Sequence, residues 1–186
     1  MPILGTVASQ FSSKPFNSYE SIQTVTVGAG GSSGISFTSI PATYTHLQIR
    51  GIWAHSTTNV AAVIGFNSAT TSYTQHLLSG NGGSSVSAGA NPTAHGITGV
   101  GTTIACPSGS GGFGSSVIDI LDYTNTNKYK IVRTFTGQNV NGDGRVRMYS
   151  GLWVNTSSIS SIQITPNSST FLQHTRFALY GIKGVA

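Results

Sequence analysis

Charge is what this chain has least of. Only 7% of its 186 residues are Asp, Glu, Lys or Arg, against roughly 25% in ordinary soluble domains. The acids are four in number, Glu20, Asp119, Asp122 and Asp143, and they give little to build a hydrolase with. Asp119 and Asp122 stand three apart on a predicted strand, so their side chains leave opposite faces. They cannot form the facing pair that glycoside hydrolysis requires, and no catalytic residue is expected. The nine Lys and Arg are scattered, with no cluster beyond Lys128-Tyr-Lys130 and Arg145-Val-Arg147. The net charge of +5 therefore reflects scarce acids and not a nucleic-acid footprint, which would gather its cations on one face.

Cysteine is nearly absent too. Cys106 stands alone, which excludes an intrachain disulfide and a thiolate metal cage; it reads as a small buried thiol. His46, His55, His76, His95 and His174 are too dispersed for the short-spaced pair that zinc favours, so no metal and no other cofactor is expected. No stretch approaches the roughly 18 apolar residues of a membrane span. The start, MPILGTVASQ, has no basic segment, its first cation being Lys14. No membrane insertion and no export are expected; the chain should assemble in the cytoplasm that makes it. Gly109 to Gly114 matches GxGxxG, but a predicted strand follows it where a dinucleotide site needs a helix.

What the chain has is glycine, 24 residues of it, hydroxyl and amide side chains, and alternation with a period of two. The clearest stretch is Ile35 to His55, with a corner at Ile40-Pro41. Leu47, Ile49 and Trp53 share one face with Gly51 between them, and His46, Gln48, Arg50 and Ile52 share the other. Further strands are predicted over Tyr19–Val27, Val60–Phe66, Ser116–Tyr123, Tyr129–Thr136, Arg145–Val154, Ile159–Ile164 and Phe171–Ile182. In the Ser116–Tyr123 strand, Val117, Asp119, Leu121 and Tyr123 should face one way and Ile118 and Ile120 the other. Asn141-Gly142 and Asp143-Gly144 give a strong hairpin signal. Ser79 to Gly99, rich in Gly, Ser and Ala, reads as a long surface loop.

No stretch has convincing helical amphipathicity. The expected fold is an all-β, antiparallel β-sandwich, jelly-roll-like, over residues 18–186, with an up-and-down barrel as the alternative. Residues 1–17 read as an extended N-terminal arm. It is either a disordered leader or a docking arm, and Ile3, Leu4, Val7 and Phe11 are the apolar anchors that the docking reading uses. Two surfaces are candidates for contact. Tyr73, Tyr149 and Trp153, with Trp53, could stack on a sugar or pack in a core or interface. His46, Gln48 and Arg50, on the polar side of the central strand, are candidates for an intersubunit surface.

Three stretches together resemble a known family. MPILGTVASQ, the block SYESIQTVTVGAGGSSGISFTSIPATYTHLQIRG (Ser18–Gly51) and the end FALYGIKGVA (Phe177–Ala186) are similar to small virion structural proteins of tailed bacteriophages. The family is abundant in phages of aquatic bacteria and is often labelled tail-fibre or minor structural protein. VIDILDYTNTNKYKIVRTFTG (Val117–Gly137) and LWVNTSSISSIQI (Leu152–Ile164) fit the same pattern, while His55 to Gly114 departs most from it. The resemblance implies a structural component of the virion exterior and supplies no catalytic residues. It implies a tail-fibre, baseplate or head appendage assembled in the bacterial cytoplasm and anchored by its N-terminal arm to other virion proteins. A capsid decoration protein and a carbohydrate-binding module that grips host surface glycan are the alternatives. Low charge and no disulfide suit a symmetric oligomer in which copies bury one another's faces, and a homotrimer is expected.

Overall fold

The seam Leu47–Ile49–Trp53 lies at the inner face of a large sheet. A computed structural model describes residues 18–56, 61–83, 86–91, 100–101, 111–139, 144–167 and 169–184. Among them are twelve strands and no helix: β1 (Tyr19–Thr26), β2 (Ile35–Phe37), β3 (His46–Trp53), β4 (Ala62–Phe66), β5 (Tyr73–Gly80), β6 (Ser87–Asn91), β7 (Val100–Gly101), β8 (Gly114–Leu121), β9 (Lys130–Asn139), β10 (Gly144–Trp153), β11 (Ile162–Pro166) and β12 (Arg176–Ile182). Eight form one sheet in the order β1-β12-β3-β8-β9-β10-β5-β6, and four form a second, β2-β11-β4-β7. All the strand pairings are antiparallel.

The protein is thus an all-β antiparallel sandwich. Its chain crosses repeatedly between layers, as in jelly rolls, but the two sheets are unequal. Two separate sheets with open edges also set aside the closed up-and-down barrel.

The core fills the space between the sheets. From the large sheet come Leu47, Ile49, Trp53, Ile118, Ile120 and Val132; from the small one come Phe37, Ile64, Phe66, Ile162 and Ile164. Each such side chain contributes about 1.5–3 kcal/mol on leaving water. Rings tie the layers together. Phe66 of β4 lies 5.7 Å from Trp153 of β10 and 6.2 Å from Tyr73 of β5. A second aromatic group joins Trp53 to Phe171 edge-on at 5.7 Å and Phe171 to Phe177 at 5.6 Å.

Gly51 interrupts the apolar seam for a reason. Its cross-strand partner is Phe177, whose ring lies over the Gly51 backbone where a Cβ would overlap it. The glycine leaves the space that the neighbouring phenylalanine fills.

Three expectations need correction. Residues 79–99 are not one unbroken loop: β5 runs to Gly80 and β6 pairs with it from Ser87. β5 itself was not expected, because Tyr73–Gly80 mixes Gln75 and His76 with Leu77 and Leu78 and shows no clean alternation. Tyr123 does not share the face of Val117 and Asp119. β8 ends at Leu121, and Asp122 takes a left-handed φ of 48°, a conformation that Asp tolerates better than most residues. This turns Tyr123 into the core, where its hydroxyl donates to the Pro41 carbonyl.

Candidate functional site

The structure scatters the residues that sequence reasoning singled out. Tyr73, Tyr149 and Trp153 are buried in the core. Tyr73 and Trp153 stack on each other at 6.2 Å with planes 17° apart. The Tyr73 hydroxyl accepts the Phe66 N–H at 2.8 Å, and the Tyr149 hydroxyl accepts from Arg147 at 3.1 Å. Trp53 is buried as well, its indole N–H donating to Ser116 at 3.2 Å. Stacking on a sugar needs an exposed ring face, and none of the four offers one. Their place as ligand aromatics is overturned; inward alternation on β3, β5 and β10 puts them in the core.

His46, Gln48 and Arg50 do share the outer side of β3, in a network internal to the chain. Gln48 is buried; its amide donates to Asp119 at 2.8 Å and accepts from Arg50 at 2.9 Å. Arg50 lies 5.7 Å from the ring centres of both Tyr19 and Tyr180, close enough for cation–π attraction. His46 is half-buried, and its Nδ1 accepts the Asp122 backbone N–H at 3.0 Å. Gln48 therefore has no side chain to offer another subunit. The anchors Ile3, Leu4, Val7 and Phe11, together with Cys106, His95 and Asp143, lie outside the described residues.

The two described aspartates on β8 and its exit go separate ways. Asp119 stays on the outer face with Gln48, while Asp122 is gripped by Lys128 and lies 3.4 Å from His46. The Lys128 hydrogen bond, aided by the charges of Lys128, His46 and Lys130, holds the Asp122 carboxyl below its ordinary range; partial burial opposes it. The unfolded chain then binds this proton more readily than the folded one. The stabilisation is present above the ordinary Asp value, about pH 4, and disappears as acid titrates the folded carboxyl. Acid unfolding of Asp122→Asn should show a shallower slope than the parent below about pH 4. The carboxyl is a third exposed, so the effect at neutral pH should stay within about 1 kcal/mol.

Among the described residues, no group of three His, Cys, Asp or Glu could hold a metal, and no helix is long and apolar enough to cross a membrane.

The feature that stands out is the outer face of the large sheet, away from the small one. Register aligns Val117, Phe135, Met148 and Leu78 in one row across β8, β9, β10 and β5, with Ala88 of β6 at its end. These four large side chains are 38%, 54%, 53% and 48% exposed. Ile52, Val146 and Ile131 extend the apolar area on the same face and are exposed to a similar degree. The neighbouring row is polar: Asp119, Arg133, Ser150 and His76 stand opposite one another in sequence across the same strands. Together the rows line a groove of about 760 Å3.

Arg133 is the loose element. It pairs in register with Asp119, yet Asp119 bonds to Gln48, and the described hydrogen bonds and ion pairs leave the Arg133 guanidinium unengaged. The groove offers apolar contact beside one carboxylate, Asp119, and one cation, Arg133.

Sequence reasoning passed over this face, although its signal was present. Val-Ile-Asp-Ile-Leu in β8 is apolar on both sides, which is how a strand covered on both faces reads. Comparison of the chain with protein-family models, curated proteins and solved structures finds no match in any of the three.

Proposed function

We propose that this protein is a non-enzymatic structural component of a tailed-bacteriophage virion. It is displayed on the exterior as a tail-fibre, baseplate or head appendage, and assembled in the host cytoplasm. Residues 1–17 anchor it to other virion proteins, it works as a homotrimer, and its outward end meets the host surface.

The observation that carries this reading is the row of exposed apolar side chains, Val117, Phe135, Met148 and Leu78, on the outer face of the large sheet. The inner face of that sheet closes the sandwich core, and the outer one presents a surface suited to protein contact. A rigid sandwich that is poor in charge and held by burial suits a part that must persist outside the cell. The resemblance of Ser18–Gly51 and Phe177–Ala186 to phage virion proteins supports the same reading. The burial of Tyr73, Tyr149 and Trp153 speaks against the carbohydrate-binding alternative in the form built on those rings. Capsid decoration would use the same surface at another place on the particle.

Mass spectrometry and immuno-electron microscopy of intact particles test the assignment, and the protein should be found on the particle exterior. A chain lacking residues 1–17 should fold and stay soluble but be missing from particles. Normal incorporation of that truncated chain would remove the anchoring role of the arm, and absence of the full-length protein from particles would overturn the assignment as a whole.

A further inference from the structure

We infer that the outer face of the large sheet, centred on Phe135 and Met148, is where one copy of this chain meets another. This rests on the reading that the protein works as an oligomer. It also moves the intersubunit surface away from His46, Gln48 and Arg50 to a neighbouring part of the same face.

Three observations lead there. The first is pattern. Strands with one face on a core and one in water alternate apolar with polar, whereas strands covered on both faces do not. β8 buries Ile118 and Ile120 inside and puts Val117 outside, while β9 and β10, whose inner sides carry Thr134, Thr136, Gln138 and Tyr149 beside Val132 and Trp153, still put Ile131, Phe135, Val146 and Met148 outside. Such contiguous exposed apolar area on a soluble protein marks a contact surface.

The second is size. β8, β9, β10 and β5, about 4.8 Å apart and some nine residues long on average at about 3.4 Å per residue, make a face of roughly 600 Å2. That clears the roughly 500 Å2 per partner below which a specific interface is not expected.

The third is charge. The polar row carries both signs side by side, Asp119 and Arg133 on adjacent strands. Arg133 has no bonding partner among the described residues, and Asp119 has one carboxylate oxygen, Oδ1, occupied by Gln48. Two copies related by a rotation axis bring the Arg133 of one toward the Asp119 of the other. Around a three-fold axis the Arg133 of each copy meets the Asp119 of the next, so one face carrying both signs closes the homotrimer. A surface meant for a charged partner of another kind would instead carry one sign in excess.

The test uses the full chain and sedimentation equilibrium across a wide concentration range. Phe135→Glu and Met148→Glu replace half-exposed side chains and should leave the folded β signal unchanged. Each should weaken association by at least about thirty-fold, as loss of a central contact residue does. Tyr129→Glu, equally exposed but outside the strands of this face, should not weaken it. Arg133→Asp should weaken association, and adding Asp119→Arg should restore it, a rescue expected only if the two charges meet across copies.

If the parent chain is monomeric throughout the range, the oligomer reading fails and the inference with it. If the parent is oligomeric and both glutamate variants associate as it does, the inference alone is overturned. Weakening by the glutamate variants without charge rescue would keep the face as the contact and overturn the Asp119–Arg133 pairing across it.

Discussion

Trp153→Ala should cost about 3–5 kcal/mol, the range for truncating a large buried aromatic. The side chain is almost wholly enclosed and sits where the sheets meet, stacked on Tyr73 and packed on Phe66. Removing it deletes both ring contacts and opens a void that strands of a hydrogen-bonded sandwich cannot collapse to fill. A domain of this kind has only about 5–15 kcal/mol of stability in total, so the variant should be marginally folded at best. Trp153→Phe separates packing from polarity. Among the described residues the Trp153 indole N–H has no hydrogen-bond partner, so phenylalanine removes volume without orphaning an acceptor and even relieves a buried unsatisfied donor. Its cost should be well below that of alanine. Trp53→Phe should be the more damaging of the two phenylalanine changes, because Trp53 donates to buried Ser116. Urea denaturation of the three variants, read at the midpoint with an unchanged slope, gives the ranking. A Trp153→Phe as harmful as Trp153→Ala would contradict the packing account.

Lys130→Met should lower stability by about 3 kcal/mol. Lys130 begins β9 and is fully buried, an unusual place for an ammonium. Its Nζ donates to three backbone carbonyls: that of Asn125 in the β8–β9 turn, that of Lys128 at 3.0 Å and that of Thr156 after β10 at 3.0 Å. One cation thus closes the turn on itself and ties it to the following loop. Burial pushes the Lys130 pKa below the usual lysine value, with the nearby Asp122 charge opposing. Methionine matches the length of the stem but removes three part-buried hydrogen bonds from a charged donor, and losing a bond of that kind costs about 1.5–3 kcal/mol. Lys130→Arg should be nearly as harmful, since a planar guanidinium cannot aim three donors at this tripod. Equilibrium unfolding is the measurement, and a neutral Lys130→Met would show that water serves these carbonyls equally well.

How far the sequence foretold this molecule depends on which face of a strand is asked about. Leu47, Ile49 and Trp53 announced their strand because water and core impose opposite demands on alternate residues. Where both faces of a strand are apolar, that contrast fades. Val117 and Ile118 look alike in sequence, and only pairing shows that one is inside and the other out. β5 is hard to read for the converse reason, with Gln75 and Leu77 facing inward and Leu78 outward. A single backbone angle at Asp122, which no side-chain pattern encodes, turns Tyr123 away from the face its alternation predicts. The outer groove is an arrangement of register. Val117, Phe135, Met148 and Leu78 come from four segments and meet only when the sheet is ordered.

That order also sets a timetable. β12, Arg176 to Ile182, lies between β1 and β3, both made more than a hundred residues earlier. A growing chain therefore emerges from the ribosome with its first and third strands unable to join each other. The two partners wait with exposed edges until the strand that belongs between them is synthesised. Folding dominated by such distant pairings is slow, and waiting edges invite pairing with other chains. A nascent chain interrupted after Pro166 should be the species most prone to aggregate. Arrival of Phe177 over Gly51 closes the gap.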